Sequence, residues 1–214
     1  PATLTSITLV AKMASGKIIR GETKITGSGA AIERICLEPS QVEPLPEALA
    51  AIEEADAVVL GPGSLYTSII PNLLVQGIPR ALTATKSPVF YVCNVMTQPG
   101  ETSRYTAYQH LKSIIDHGGR GVVDYMIVNT QLISVGMLEK YDAEGAHPVK
   151  VDEELITKTG VKLVKADLVN QYNLVRHDSD KLARVIMKHT FQIKPPGERL
   201  RLLELFFNPS VRGK

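Results

Sequence analysis

Asp56-Ala57-Val58-Val59-Leu60-Gly61-Pro62-Gly63-Ser64 is the stretch on which the fold turns. Its apolar run, Ala57 to Leu60, stops at Gly-Pro-Gly, as a buried strand does where it meets a loop. Ahead of it, Pro46 to Glu54 has helical composition with proline in the first turn. Behind it, a helical stretch from Ser68 to Gln76 is interrupted at Pro71 and ended by Gly77-Ile78-Pro79. Val89 to Val95 repeats the buried-strand pattern and is stopped by the polar loop Thr97-Gln98-Pro99-Gly100-Glu101. Tyr105 to His117 then carries Ala107, Leu111, Ile114 and Ile115 at helical spacing, up to Gly118-Gly119. Tyr125 to Val128 is a third buried strand. Strand, helix, strand, helix, strand implies right-handed crossovers and a parallel sheet.

Outward from this core the pattern changes. Ser6 to Met13 roughly alternates apolar and polar residues, Ser15-Gly16 is a small polar turn, and Lys17 to Arg20 returns, which reads as a hairpin. Gly21-Glu22 and Gly27-Ser28-Gly29 punctuate the next stretch, and Ile32 to Leu37 is a further strand. Beyond Leu132 the signals thin out: Val161 to Asp167 reads as a strand, Asp180 to His189 as a helix, and Leu200 to Phe207 as a short final helix. The expectation is one α/β domain over residues 1–214, with a β-rich segment at 1–43, a βαβαβ core at 44–135 and an α/β completion at 136–214. The chain opens on Pro1-Ala2-Thr3 rather than methionine, which reads as a fragment of a longer chain.

Bulk properties narrow the function classes. With no Trp, seven Tyr and four Phe, aliphatic side chains must fill the core, as buried parallel strands require. A net charge of +2 gives no general electrostatic grip on nucleic acid or anionic membrane. No apolar run reaches the length of a bilayer span. Cys36 and Cys93 are far apart and in no Cys-x-x-Cys pair, so neither a disulfide framework nor a zinc site is expected, and the cytoplasm is the natural compartment. The five histidines form no metal-spaced cluster, and no metal site is assigned.

In open α/β sheets ligands bind outside the carboxyl ends of the strands, where loop amides face them. Three such ends are polar here: Gly61-Pro62-Gly63-Ser64, Asn94-Val95-Met96-Thr97-Gln98, and Asn129-Thr130. In the first, Gly61 and Gly63 permit positive φ and close approach, while Ser64 and Thr67 add hydroxyls. The same residues equally describe a tight turn with a helix cap. It is neither a Walker loop, a dinucleotide fingerprint nor a nucleophile elbow. In the second, Asn94, Thr97 and Gln98 offer donors and acceptors and Glu101 a charge. The plainer account is a helix capped by Thr102 or Ser103 with Glu101 at the positive end of its dipole. His110 and His117 lie two turns apart on one helix and read as structural. Arg176-His177-Asp178 sets a cation, a titratable ring and a carboxylate after an apolar stretch, though a helix cap at Asp178 or Ser179 explains it as well.

Asp56 to Ser68, with Pro71-Asn72-Leu73-Leu74, and Tyr91 to Thr102 closely resemble the signature of the gluconeogenesis factor family, itself related to 2-phospho-L-lactate transferase. Gly21-Glu22, Pro148-Val149 with Asp152, and Arg176-His177-Asp178 extend the resemblance over most of the chain. It implies a doubly wound, mostly parallel, Rossmann-like sheet and a nucleotide-sugar ligand such as UDP-N-acetylglucosamine. It further implies a cytoplasmic regulator tying carbon metabolism to cell-wall synthesis and cell shape. By position Tyr141 and Arg176 look like the family's ligand-contacting pair: arginine's fork suits a diphosphate, and tyrosine suits uracil. The alternative is a phospholactyl-type transferase using a nucleotide-activated donor, for which Mg²⁺ would be expected. The family's Gly-Gly-Gly-Thr-Gly segment is absent here, and Gln109 precedes His110 where relatives often carry an acid. The expected partner is the small nucleotide-sugar, with homo-oligomer formation left open and neither nucleic acid nor membrane insertion expected.

Overall fold

A computed structural model describes residues 1–170 and 175–193. The chain divides into two compact units, Pro1–Asp178 and Ser179–Lys214.

In the first unit, β1 (Thr8–Met13), β2 (Ile18–Arg20) and β3 (Ile32–Glu38) form an antiparallel sheet in the order β2-β1-β3. The hairpin is the one its alternating residues imply. Between β2 and β3 lies a helix the glycine punctuation did not suggest, α1 (Glu22–Gly27), whose single buried residue is Ile25. After α2 (Pro46–Glu54) come β4 (Val58–Leu60), β5 (Val89–Val92), β6 (Tyr125–Asn129) and β7 (Lys162–Ala166). They form a parallel sheet in the order β4-β5-β6-β7. The α/β class, the parallel sheet and the separate antiparallel hairpin thus stand as expected. Strand order follows chain order, so any reversal of winding lies outside these four strands.

The connections differ in detail from the sequence reading. The single helix expected over Ser68 to Gln76 is instead a π-helical turn, Leu65–Ile69, running into the short α3 (Ile70–Leu73). Gly77, at φ +80, then starts α4 (Ile78–Ala84), with Pro79 in the first turn. α5 (Ala107–Gly118) crosses from β5 to β6, and α6 (Val135–Ala143) and α7 (Glu153–Thr157) lie between β6 and β7.

One core unites the layers. Ala11 and Ile35 of the antiparallel sheet, Leu65, Ile70 and Leu111 of the helices, and Tyr91 of the parallel sheet all belong to it. β3 is tied to α5 by a hydrogen bond from the Ile35 amide to His117 Nε2 at 3.1 Å. The parallel sheet ends at Ala166, and β8 (Val169–Asn170) pairs antiparallel with β9 (Arg176–His177). In the second unit α8 (Ser179–Ile193) is helical as expected. The helix expected over Leu200 to Phe207 lies outside the described residues. Among the described residues no helix is long and apolar enough to cross a membrane.

Candidate functional site

The carboxyl ends of β4 and β5 carry the first two polar loops, and the structure fastens these loops to each other. Ser64 Oγ donates to Gln98 Oε1 at 2.9 Å, and Thr67 Oγ1 donates to Glu101 Oε1 at 2.9 Å. Glu101 also accepts the Tyr66 amide on Oε2 at 3.3 Å, and Gln98 Nε2 and Thr26 Oγ1 on Oε1, each at 3.4 Å. The carboxyl group is almost wholly buried, and burial pushes its pKa above the usual range, against the hydrogen bonds that favour its charge. Glu101 is therefore a buried junction of α1, the first loop and the second.

The glycines serve the same packing. Gly61 has φ +87, and a Cβ there would lie 3.1 Å from Ile69 Cδ1 and 3.2 Å from the Val92 carbonyl oxygen. Gly63 leaves room for Ser68 Cβ, which would stand 3.3 Å from a Cβ on it. Both close approaches are to the protein's own atoms.

The start of α5 corrects a further expectation. Its cap is Thr106, not Thr102 or Ser103. Thr106 Oγ1 accepts from Gln109 N, and Gln109 Oε1 accepts from Thr106 N at 2.8 Å, a reciprocal capping box. The Thr-x-x-Gln spacing was the available signal. Asp152 completes this end by accepting from Thr106 Oγ1 at 2.6 Å and the Tyr108 amide at 2.8 Å. Thr102 instead accepts the Gln98 amide at 2.9 Å, which folds the second loop on itself. His110 is fully buried on α5, its Nδ1 donating to the Thr106 carbonyl at 2.8 Å while Nε2 has no partner among the described residues; burial holds its pKa down.

Beside this junction lies a cavity of about 250 Å³ between the carboxyl ends of β5 and β6. Cys93, Asn94, Val128 and Gln131 line it, with Leu138 of α6 and Val149 on its walls. Burial pushes the Cys93 thiol up to about 12, so it stays protonated and unreactive. The far wall exists because residues 147–149 fold back along residues 95–97. Thr97 N donates to the His147 carbonyl at 2.7 Å, Thr97 Oγ1 accepts the His147 amide at 2.9 Å, and Val149 N donates to the Val95 carbonyl at 2.9 Å. Thr97 is spent on that wall. Asn94 lines the cavity, and its side chain makes no hydrogen bond among the described residues. At the third strand end Asn129 Oδ1 accepts the amides of Gln131 and Leu168, at 3.2 and 3.0 Å.

Tyr141 bonds to the backbone of the residue before Arg176. Tyr141 packs against the cluster of Val95, Met96, Met137, Val169 and Val175, and its hydroxyl accepts the Val175 amide at 3.0 Å. His177 Nε2 donates to the Cys93 carbonyl at 3.1 Å, and the Asp178 amide donates to the Leu168 carbonyl at 2.6 Å. Burial holds the His177 pKa down. These bonds set β9 against the end of β5 and leave Arg176 exposed. The cavity walls at Gln131, Leu138 and Val149 escaped the sequence reading, because only the fold-back of residues 147–149 makes them neighbours.

Among the described residues no group of three or more His, Cys, Asp or Glu side chains is arranged to hold a metal ion.

A family model described as 2-phospho-L-lactate transferase CofD matches residues 1–169. The gluconeogenesis factor of Bacillus subtilis is 42% identical over 188 residues, covering 87% of this chain and 59% of that protein. The gluconeogenesis factor of Halalkalibacterium halodurans is 44% identical over 189 residues, covering 88% of this chain and 59% of that protein. An X-ray structure of a Bacillus halodurans protein superposes with a TM-score of 0.85 at 44% identity, covering 87% of this chain and 60% of that one. The chain thus spans about three fifths of the length of these relatives.

Proposed function

Because the chain belongs to the 2-phospho-L-lactate transferase CofD family, we propose that it binds a nucleotide-sugar of the UDP-N-acetylglucosamine kind at the carboxyl ends of β5 and β6. The observation that carries this reading is the cavity at Asn94, whose amide is unpartnered among the described residues, at the strand end to which His177 of β9 is bound through the Cys93 carbonyl. Arg176, exposed on the same strand, would supply a guanidinium suited to a diphosphate. The reading extends to a cytoplasmic regulator linking carbon metabolism to cell-wall synthesis and cell shape, in keeping with relatives named gluconeogenesis factors. Calorimetry of the intact protein with UDP-N-acetylglucosamine tests it. Saturable heat is expected, weakened by Arg176→Ala; no heat and no thermal shift at millimolar ligand would sink it.

The name of the matching family model favours a second reading, a transferase that moves a phospholactyl-type group from a nucleotide-activated donor. Incubation with such a donor and a deazaflavin acceptor, followed by product detection, separates the two. Turnover selects the transferase.

A further inference from the structure

α2 carries more apolar surface than the first unit covers. Five of its nine residues are Ala, Leu or Ile, and none of them is buried. Ala48, Leu49 and Ile52 rest against the core while staying part-exposed, and Ala50 and Ala51 are exposed. A helix this short is not stable by itself in water and depends on the packing of its apolar face. α4 flanks it, and a groove of about 440 Å³ runs between the two. Leu49, Ala81 and Ala84 give the groove an apolar lining, and Glu53 and Arg80 add one charge of each sign.

The two helices run side by side in the same direction. At their starts a Cβ on Gly77 would lie 3.7 Å from Leu49 Cδ2. At their ends the Thr85 hydroxyl donates to the Ile52 carbonyl at 3.3 Å and the Ser87 hydroxyl donates to the Ala55 carbonyl. Glu53 follows Leu49 by four residues and Arg80 follows Gly77 by three, so the two charges stand at nearly the same height across the groove. Both side chains are exposed, and neither makes an ion pair among the described residues. Each bank keeps one sign: α2 holds Glu47, Glu53 and Glu54 and no base, and α4 holds Arg80 and no acid.

A face with an acidic bank and a basic bank around an apolar strip is complementary to a copy of itself. We propose that the groove between α2 and α4 is the contact face of a homodimer whose two-fold axis runs along the groove. That axis sets α2 of each copy over α4 of the other, closes apolar lining on apolar lining, and brings each Glu53 to the Arg80 of the second copy. A two-fold axis across the groove would instead oppose α2 to α2 and acid to acid. No residue of the polar strand-end loops lines the groove, so the dimer does not depend on the nucleotide-sugar reading.

Sedimentation equilibrium of the intact protein tests this contact. Wild type is expected to show a concentration-dependent dimer. Glu53→Arg and Arg80→Glu each set like charges against each other at both symmetric contacts, so each should raise the dimer Kd at least about tenfold. Mixed in equal amounts, the two variants should associate again, because every contact in the mixed pair then joins opposite charges. The double variant should dimerise as wild type does. If either reversal fails to fold, Ala84→Arg, which sets a bulky charge in the apolar lining, should dissociate the dimer in its place. Three results overturn the proposal: a wild type that stays monomeric up to millimolar concentration, folded variants that dimerise as tightly as wild type, or single reversals that dissociate and do not recover on mixing.

Discussion

The Tyr141 hydroxyl accepts the backbone amide of Val175 at 3.0 Å, one residue before Arg176. The tyrosine therefore acts on the arginine's strand, and its ring is half-buried against Met137 and Val95. A hydrogen bond of this kind contributes about 0.5–1.5 kcal/mol net. Tyr141→Phe keeps the ring and loses the bond, so affinity for UDP-N-acetylglucosamine should fall roughly two- to tenfold. If the effect runs through Arg176, Tyr141→Phe adds little once Arg176 is already alanine. Calorimetry on both single variants and the double variant measures that coupling. Additive losses would make Tyr141 an independent ligand contact.

Glu101 ties three segments together, through Thr26, Tyr66 with Thr67, and Gln98. Glu101→Leu keeps the site apolar but orphans the Thr67 hydroxyl and the Tyr66 amide. Each buried donor left alone costs about 1–3 kcal/mol. For a protein of this size the melting temperature should drop by roughly 4–24 °C. Thr67→Ala removes one donor and leaves the others, so its loss should be smaller. Equal melting temperatures for wild type and Glu101→Leu would mean that the junction contributes nothing to stability.

Legibility in the sequence followed the range of the interactions. β4, β5 and β6 were readable because a continuous apolar run closed by a Gly-rich or polar loop is itself the cause of a buried strand. α4 was missed because Gly77-Ile78-Pro79 reads as a stop, although glycine in the left-handed region followed by proline in the first turn also starts a helix. α1 was hidden by the glycines at each end of it. The Thr106–Gln109 cap was legible and was passed over for the hydroxyls just upstream. Contacts such as Thr67 with Glu101, or Tyr141 with Val175, join residues 34 positions apart and have no local signature. Residue type alone does not divide Asn94, which lines the cavity, from Thr97, which holds its wall.

Acid should weaken the fold through buried imidazoles. His110, His117 and His177 are all held below the ordinary value of 6.5, chiefly by burial. His117 shows why the neutral form is required: Nδ1 donates to the Ser113 carbonyl at 2.7 Å and Nε2 accepts the Ile35 amide at 3.1 Å. Protonation turns that acceptor into a donor. Between the depressed values and 6.5 the unfolded chain binds more protons, so stability is fullest above about pH 6.5 and declines as pH falls through that window. Glu101, raised by burial, works in the opposite sense, gaining stability as pH falls through its raised value. The urea midpoint should therefore fall from about pH 7.5 to about pH 5.5. His117→Gln, which cannot titrate, should flatten that fall. A midpoint constant over this range would contradict the account.

Two glycines with almost the same backbone separate strain from packing. Gly16 has φ +83 with nothing within 4 Å of a Cβ built on it, and Gly100 has φ +82 with the Thr26 carbonyl oxygen only 2.5 Å from such a Cβ. Alanine at either site meets the left-handed penalty, about 1–2 kcal/mol. At Gly100 it must also displace the backbone of α1, and overpacking of that kind costs roughly 1–3 kcal/mol more. Gly100→Ala should therefore be clearly less stable than Gly16→Ala in urea unfolding. It should also disturb ligand binding, because moving α1 or the 98–101 turn pulls on Glu101 through Thr26 and, through Gln98, on Ser64. Gly16→Ala lies in the hairpin turn and should leave affinity as it is. Equal stabilities for the two variants would mean that α1 yields freely and that Gly100 is required by φ alone.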